Sequence, residues 1–134
     1  MSLGYVGYAK KADEDEKAVI YAYGFVNWNE TEHKNDERIT DGIITINKSA
    51  VPDVEVVEKI KKLSGGRKIK IVKNKLDVNV FELIKNESIQ IDNTKNCWSM
   101  NADGVDTIAI SLCNGIMDSY REEQVFPWNI GVLK

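Results

Sequence analysis

The sequence predicts an α+β protein, in which a mixed, mainly antiparallel sheet has two or three helices packed on it. Short segments in which apolar and polar residues alternate recur along the chain, as expected for strands. One long segment near the C-terminus instead has the 3.6-residue period of a helix. Together they give the order β-β-β-α-β-α-β-α-β, and the length of 134 residues suits a single domain, residues 1–134.

Three strands are predicted in the first third of the chain. Residues 4–9 and 17–25 form the first two, joined by the turn-rich segment KKADEDE. The second strand carries apolar side chains on both faces, which is typical of a central strand covered at least in part on each side. Residues 38–47 form the third strand, with a bulge or bend expected at Asp41 and Gly42.

The segment that begins at Pro52 is predicted to be a helix of about three turns. At 100° per residue its aliphatic side chains fall in one arc, formed by Val56, Val57, Ile60 and Leu63. Gly65 and Gly66 are expected to end this helix, since glycine readily adopts the left-handed cap conformation. Residues 68–73 follow as a strand in which isoleucines and lysines alternate.

The C-terminal part is predicted to supply most of the core. Residues 78–85 form a short helix and residues 88–92 a short strand. Residues 105–123 form the longest helix, with Asp103 as its N-cap and an apolar arc wide enough to make it the main body of the core. A last extended segment after Pro127 is expected to be an edge strand or a tail lying on the surface, because proline has no backbone N–H to donate to a neighbouring strand.

Composition indicates a soluble cytoplasmic protein. The chain is 43% apolar and 29% charged, with a net charge of −3. No apolar run approaches the roughly 20 residues of a membrane span, and the N-terminus has no signal pattern, so no membrane is expected as a partner. Two cysteines are too few for a disulfide framework.

Residues 59–75 carry eight basic side chains and no acid, which raises the question of a nucleic-acid site. The candidate contacts are Lys59, Lys62, Arg67, Lys68 and Lys70. In the predicted helix and strand, however, Lys59 and Lys62 point away from Lys68 and Lys70, and phosphate binding needs charges on one face. A phosphate loop is disfavoured as well, because the glycines follow the predicted helix and do not precede one.

Metal, cofactor and catalytic patterns are absent from the sequence. Cys97, Cys113 and His33 do not have the spacing of zinc ligands, and the segment from Asp92 lacks the glycine and glutamate of a calcium loop. The four acids of residues 13–16 are typical of a solvated turn. Neither a metal nor a cofactor is therefore expected.

Tryptophan supplies the candidate protein contact. Trp28 lies in the polar loop 27–37, which is long for a connection between strands. An aromatic anchor with acidic neighbours suits a protein interface, so the predicted contact residues are Trp28, Glu30, Glu32, Asp36 and Glu37. Trp98 and Trp128 are instead expected to close the ends of the core.

Function is predicted by class only. The absence of a catalytic motif favours a non-enzymatic protein-binding module, of the general type of small cytoplasmic bacterial immunity, inhibitor or adaptor proteins, with another protein as its partner. One alternative is a small enzyme or ligand-binding domain that uses pocket carboxylates near residues 97–106. The other is nucleic-acid binding through residues 59–75, which the predicted separation of the lysines argues against.

Overall fold

A computed structural model describes residues 5–27, 40–94 and 100–133. Within them the chain forms a five-stranded sheet of order β6-β3-β2-β1-β7 and a separate two-stranded hairpin of β4 and β5. All strand pairs are antiparallel. The elements, in chain order, are β1 (Tyr5–Glu14), β2 (Ala18–Asn27), β3 (Gly42–Asn47), a 3-10 helix (Lys48–Ala50), β4 (Glu55–Lys62), β5 (Lys68–Lys75), α1 (Val80–Lys85), β6 (Ile89–Asp92), α2 (Thr107–Glu123) and β7 (Asn129–Leu133). The predicted α+β class and the mainly antiparallel sheet are confirmed.

The core lies between one face of the five-stranded sheet and helix α2. Strand β2 is central, as predicted, and Val19, Tyr21 and Tyr23 on its helix-facing side have no exposed surface. Helix α2 contributes the largest buried set, formed by Ile108, Ala109, Ile110, Leu112, Cys113, Ile116 and Met117. Its period and its central place in the core are therefore those that the sequence predicts.

The start of α2 differs from the prediction by a few residues. Asp106, and not Asp103, is the N-cap, and its Oδ1 accepts the backbone N–H of Ile108 at 2.9 Å. Asp103 lies in the preceding turn, where its own N–H donates to Oδ1 of Asn101. Two aspartates three residues apart both suit a cap, and packing of the turn on Asn101 decides between them.

Residues 52–63 do not form the predicted helix. They contain strand β4, which runs antiparallel to β5 with Lys62 directly opposite Lys68. The tip of this hairpin has Gly65 at φ 86° and Gly66 at φ 83°, so the glycines do adopt the left-handed conformation, but in a turn between strands. A hairpin tip and a helix C-cap place the same demand on glycine, and the β-branched side chains of Val54, Val56, Val57 and Ile60 favour the strand.

The ends of the sheet also carry differences. Strand β1 continues to Glu14 with an irregularity between Lys11 and Asp13, so most of the predicted turn KKADEDE is strand. Strand β7 pairs with β1 at the edge of the sheet, as predicted. Trp128, just before β7, is 71% exposed, so the expectation that it closes the core is wrong.

Candidate functional site

The hairpin formed by residues 55–75, here called the arm, stands apart from the rest of the fold. Among the described residues its strands pair only with each other, and no arm residue belongs to the buried core. Val57 and Asn74 are partly covered, and every other arm residue is exposed. At its root Asn74 donates through Nδ2 to the backbone carbonyl of Arg121 at 3.1 Å, which ties β5 to the end of α2. With eight residues in each strand the arm is about 27 Å long.

The register of the hairpin divides the arm side chains between two faces. Residues directly opposite each other in an antiparallel pair point to the same side. The Ile60 face carries Val56, Glu58, Ile60, Lys62, Lys68, Lys70, Val72 and Asn74. The Ile71 face carries Glu55, Val57, Lys59, Lys61, Ile69, Ile71, Lys73 and Lys75. Each face therefore carries three aliphatic side chains and at least three lysines.

This division corrects the predicted placement of the basic residues. Lys59 and Lys62 point to opposite faces of one strand, whereas they were expected to share the outer side of a helix. Lys68 and Lys70 lie on the same face as Lys62, and Arg67 ends the tip turn, where its carbonyl accepts the N–H of Leu63 at 2.7 Å. All the basic side chains of residues 59–75 thus belong to one projecting element, and they are not split across the molecule.

Aliphatic side chains on the arm are exposed to an unusual degree. Ile60 is 74% exposed, Val72 55% and Val56 47% on the same face. Ile69 and Ile71 are exposed on the opposite face. Single exposed aliphatic residues are common on protein surfaces, but a contiguous group generally marks a binding surface. An isolated two-stranded hairpin is also only marginally stable in water, so this arm gains stability when another surface covers it.

Charge is concentrated on the arm as well. Residues 55–75 hold eight bases and two acids, a net charge of +6. The whole chain holds 18 bases and 21 acids, so the remaining 10 bases and 19 acids leave −9 on the rest of the protein. On the Ile60 face, Lys70 forms an ion pair with Glu58 at 3.2 Å. The arm is accordingly a basic, partly apolar projection from an acidic body.

A second group of charged and aromatic side chains lies where the end of β1, the 3-10 helix after β3 and the segment before β7 come together. Lys11 donates through Nζ to Glu14 and to the carbonyl of Phe126, and lies 4.6 Å from the centre of the Trp128 ring. Lys48 also pairs with Glu14. Hydrogen bonds from Lys11 and then Lys48 hold the pKa of Glu14 below its usual value. Since Lys11, Glu14 and Lys48 all have partners, this group supports the turn after β1.

The loop before α2, which the sequence singles out for pocket carboxylates, uses its buried carboxylate structurally. Oδ2 of Asp106 accepts the hydroxyl of Tyr23 at 3.0 Å, and Asn93 accepts the N–H of Asp106 at 3.0 Å. Asn93 also donates to the carbonyl of Gly104 at 2.8 Å. Asp106 is therefore committed to capping α2 and to holding the loop. Cys97 and Trp98 lie outside the described residues.

Metal and ligand sites find little support in the described part of the chain. Within residues 5–27, 40–94 and 100–133, no three His, Cys, Asp or Glu side chains come close enough to hold a metal ion. An open groove of about 600 Å³ beside the ends of β2, β3 and β6 has Glu16, Lys17, Lys48 and Glu87 among its lining residues. Its charges are of both signs and it is wide open to solvent, so it does not resemble the closed apolar pocket of a small-molecule site.

The predicted protein-contact residues Trp28, Glu30, Glu32, Asp36 and Glu37 lie outside the described residues, so this contact stays a prediction. Across the residues that are described, no helix is both long and apolar enough to cross a membrane. Comparison with protein-family models, with curated proteins and with solved structures gives no match to this chain.

Proposed function

We propose that this protein is a non-enzymatic protein-binding module and that the arm is its main contact surface. One observation carries the proposal. The arm exposes aliphatic side chains on both faces, yet it adds nothing to the buried core of the described residues. Burial of such side chains stabilises a complex by roughly 25 cal/mol per Å² of apolar surface, which the free chain forgoes.

The partner that fits the arm has an apolar surface with an acidic border. Each face combines aliphatic side chains with lysines, and the net charge of the arm is +6. At physiological salt the Debye length is about 8 Å, so the acidic body does not cancel the positive potential along an arm of about 27 Å. Acidic residues on a partner would therefore speed the encounter, and the aliphatic row would supply the affinity.

Substitutions on both faces of the arm test this proposal. The double variant Ile60→Thr/Ile71→Thr keeps β-branched side chains in both strands but removes apolar surface. Ile43→Thr is the matched control, since Ile43 is also a partly exposed isoleucine in a strand but lies in β3. Partners captured from the source cell by wild-type protein are identified by mass spectrometry, purified, and titrated against all three chains.

The expected result is a loss of affinity of at least about tenfold for the arm variant and an unchanged dissociation constant for Ile43→Thr. Equal affinity of all three chains for the purified partner would contradict the proposal. Trp28→Ala belongs in the same series, because the proposed acidic loop of Trp28, Glu30, Glu32, Asp36 and Glu37 is a second contact surface. A loss specific to Trp28→Ala would move the interface to that loop.

Nucleic-acid binding is a second candidate, favoured by one observation. Lys62, Lys68 and Lys70 share a face of a projecting two-stranded ribbon, an element that other proteins insert into DNA grooves. The exposed aliphatic rows favour a protein, since phosphate contacts need only the cations. Fluorescence anisotropy with random DNA duplex and single-stranded RNA, at about 50 and about 200 mM salt, distinguishes nucleic-acid binding from protein binding as the function of the arm. Sub-micromolar binding that falls steeply with salt, and that Lys62→Gln/Lys68→Gln abolishes, would establish the nucleic-acid function instead.

A further inference from the structure

We propose that the arm of one molecule docks on the acidic body of a second copy of this chain, in a reciprocal two-fold dimer. The inference rests on the proposed function of the arm as a binding surface, and it names the partner. Its physical basis is charge complementarity within one sequence: the arm carries +6 and the rest of the chain −9. Each molecule thus offers both halves of a complementary pair.

The arm is held away from its own body at the root. Val51 and Leu76 flank the arm in sequence, and both pack against the core. Asn74 adds its hydrogen bond to the carbonyl of Arg121 at 3.1 Å. Only residues 52–54 separate Val51 from β4, and Leu76 follows β5 directly. These connections are too short to let the arm fold back onto its own body. The acidic body that an arm can reach is that of another molecule.

One face of the arm is too small to be a whole side of a protein interface. Each face has eight residues of the paired strands. Stable interfaces use roughly 20–30 residues on each side, so the body of each copy has to supply the rest. When two copies exchange arms about a two-fold axis, each contributes one arm and one acceptor, and the assembly closes without further growth.

The Ile60 face is the side of the arm that we assign to the second copy. Val56 and Ile60 lie on β4 on either side of Glu58, and Val72 lies on β5 opposite Glu58. Ile60 and Val72 are more exposed than the isoleucines of the opposite face. Lys62 and Lys68 lie opposite each other toward the tip of the same face. Aliphatic side chains would pack on the body of the partner molecule, and the lysines would meet its carboxylates at the border.

Charge also decides between this arrangement and a direct pairing of two arms. Two arms of +6 repel each other, whereas an arm and an acidic body attract. The two arrangements respond to salt in opposite directions, because salt screens attraction in one and repulsion in the other. A dimer held by arm and body weakens as salt rises, and one held by paired arms strengthens.

Sedimentation equilibrium of the full chain over a range of protein and salt concentrations tests the inference. We expect a monomer–dimer equilibrium whose dissociation constant rises at least about tenfold between about 50 and about 500 mM salt. Ile60→Thr/Val72→Thr should raise that constant at least about tenfold, and Ile69→Thr/Ile71→Thr should change it less than about threefold. Lys62→Glu/Lys68→Glu should weaken the dimer strongly at low salt, while Lys85→Glu, at an exposed position of α1, should not.

Three results would overturn the inference: a monomer at every concentration, a dimer that strengthens with salt, or a dimer that Ile60→Thr/Val72→Thr leaves intact. None of them bears on the titration of a purified heterologous partner against Ile60→Thr/Ile71→Thr. Conversely, suppose that the dimer is salt-sensitive and that Ile60→Thr/Ile71→Thr binds the heterologous partner as tightly as wild type. The dimer inference would then stand, and the proposal that the arm binds other proteins would be wrong.

Discussion

The hydroxyl of Tyr23 donates a hydrogen bond of 3.0 Å to Oδ2 of Asp106, and both side chains have no exposed surface. The bond joins the central strand of the sheet to the first turn of α2. The same hydroxyl oxygen accepts the backbone N–H of Thr94 at 3.1 Å. One phenol therefore fixes the start of the main core helix and the end of the chain segment after β6.

Removing this hydroxyl should destabilise the protein. In Tyr23→Phe, the buried carboxylate of Asp106 loses a donor and the N–H of Thr94 loses an acceptor, which we expect to cost about 2–3 kcal/mol. Urea denaturation measures the loss of unfolding free energy. An unchanged dependence of that free energy on urea concentration would show that the fold is retained. Tyr120→Phe, in a partly buried ring stacked on Phe126, is the control and should change stability little. Equal midpoints for Tyr23→Phe and the wild type would contradict a structural role for the bond.

Truncation within α2 tests the placement of the core. Leu112 has no exposed surface on the helix face that meets the sheet, so Leu112→Ala should lower the free energy of unfolding by about 2–5 kcal/mol. Asn114→Ala, on the exposed side of the same helix, should alter it by less than about 0.5 kcal/mol. Thermal or urea denaturation of the two variants makes the comparison. A small effect at Leu112 would mean that α2 faces the sheet through other residues.

The sequence was sufficient to predict the sheet strands and α2, because their apolar periods are unambiguous over many residues. Residues 52–63 show why the arm could not be predicted in the same way. Val56, Val57, Ile60 and Leu63 fit a helical arc, and neither face of the strand is purely apolar, so alternation is missing. Strand β4 has no buried side to impose a period of two. Strand β5 is equally outside the core, but its isoleucines and lysines happen to alternate, and residues 68–73 are predicted as a strand.

The candidate site was predicted only in composition. Eight bases within residues 59–75 mark the segment, but whether they converge depends on its secondary structure, and the helical arc of residues 56–63 predicts a helix where the chain forms a strand. Trp128 is a similar case, since a tryptophan beside the end of a strand can be buried or exposed. The cation beside its ring belongs to Lys11 in β1, which is adjacent in the sheet but more than 100 residues away in sequence. Tertiary contacts of this kind have no local signal.

A close contact of glycine with Tyr23 gives a third prediction. A Cβ atom on Gly42 would overlap the Tyr23 ring, so an alanine must displace that ring or shift β3. Gly42→Ala should therefore destabilise by about 1–3 kcal/mol through overpacking. Gly131→Ala in β7 is the control, because its nearest atom would be the carbonyl oxygen of Gly7 at 3.7 Å, an ordinary contact. If both variants unfold at the same urea concentration, the packing of Tyr23 on Gly42 is not tight.

The turn after β1 should give a pH-dependent contribution to stability. Lys11 and Lys48 lower the pKa of Glu14 below its usual value of 4.5. A carboxylate with a lowered pKa stabilises the fold above its unfolded value, and that contribution is lost as pH falls below about 4.5 through the folded value. Glu14→Gln should cost up to about 1 kcal/mol at neutral pH, discounted for its partial exposure, and nothing below the folded pKa. Urea denaturation at several pH values checks this. A cost for Glu14→Gln that persists unchanged in acid would exclude the ionic origin, and Glu123→Gln controls for the loss of one charge.

Amide hydrogen exchange tests whether the arm is unstable until another surface covers it. A two-stranded hairpin outside the core opens with a free energy near zero, whereas β2 opens only with global unfolding. In dilute solution, amides of β4 and β5 should exchange orders of magnitude faster than those of β2. At concentrations where the proposed dimer forms, the arm should become protected, because one of its faces is then covered.

Ile60→Thr/Val72→Thr should remove this dependence on concentration while β2 stays protected, since neither side chain belongs to the core. An arm as strongly protected as β2 in dilute protein would show that the hairpin is stable alone, and its exposed aliphatic rows would no longer imply a covering surface.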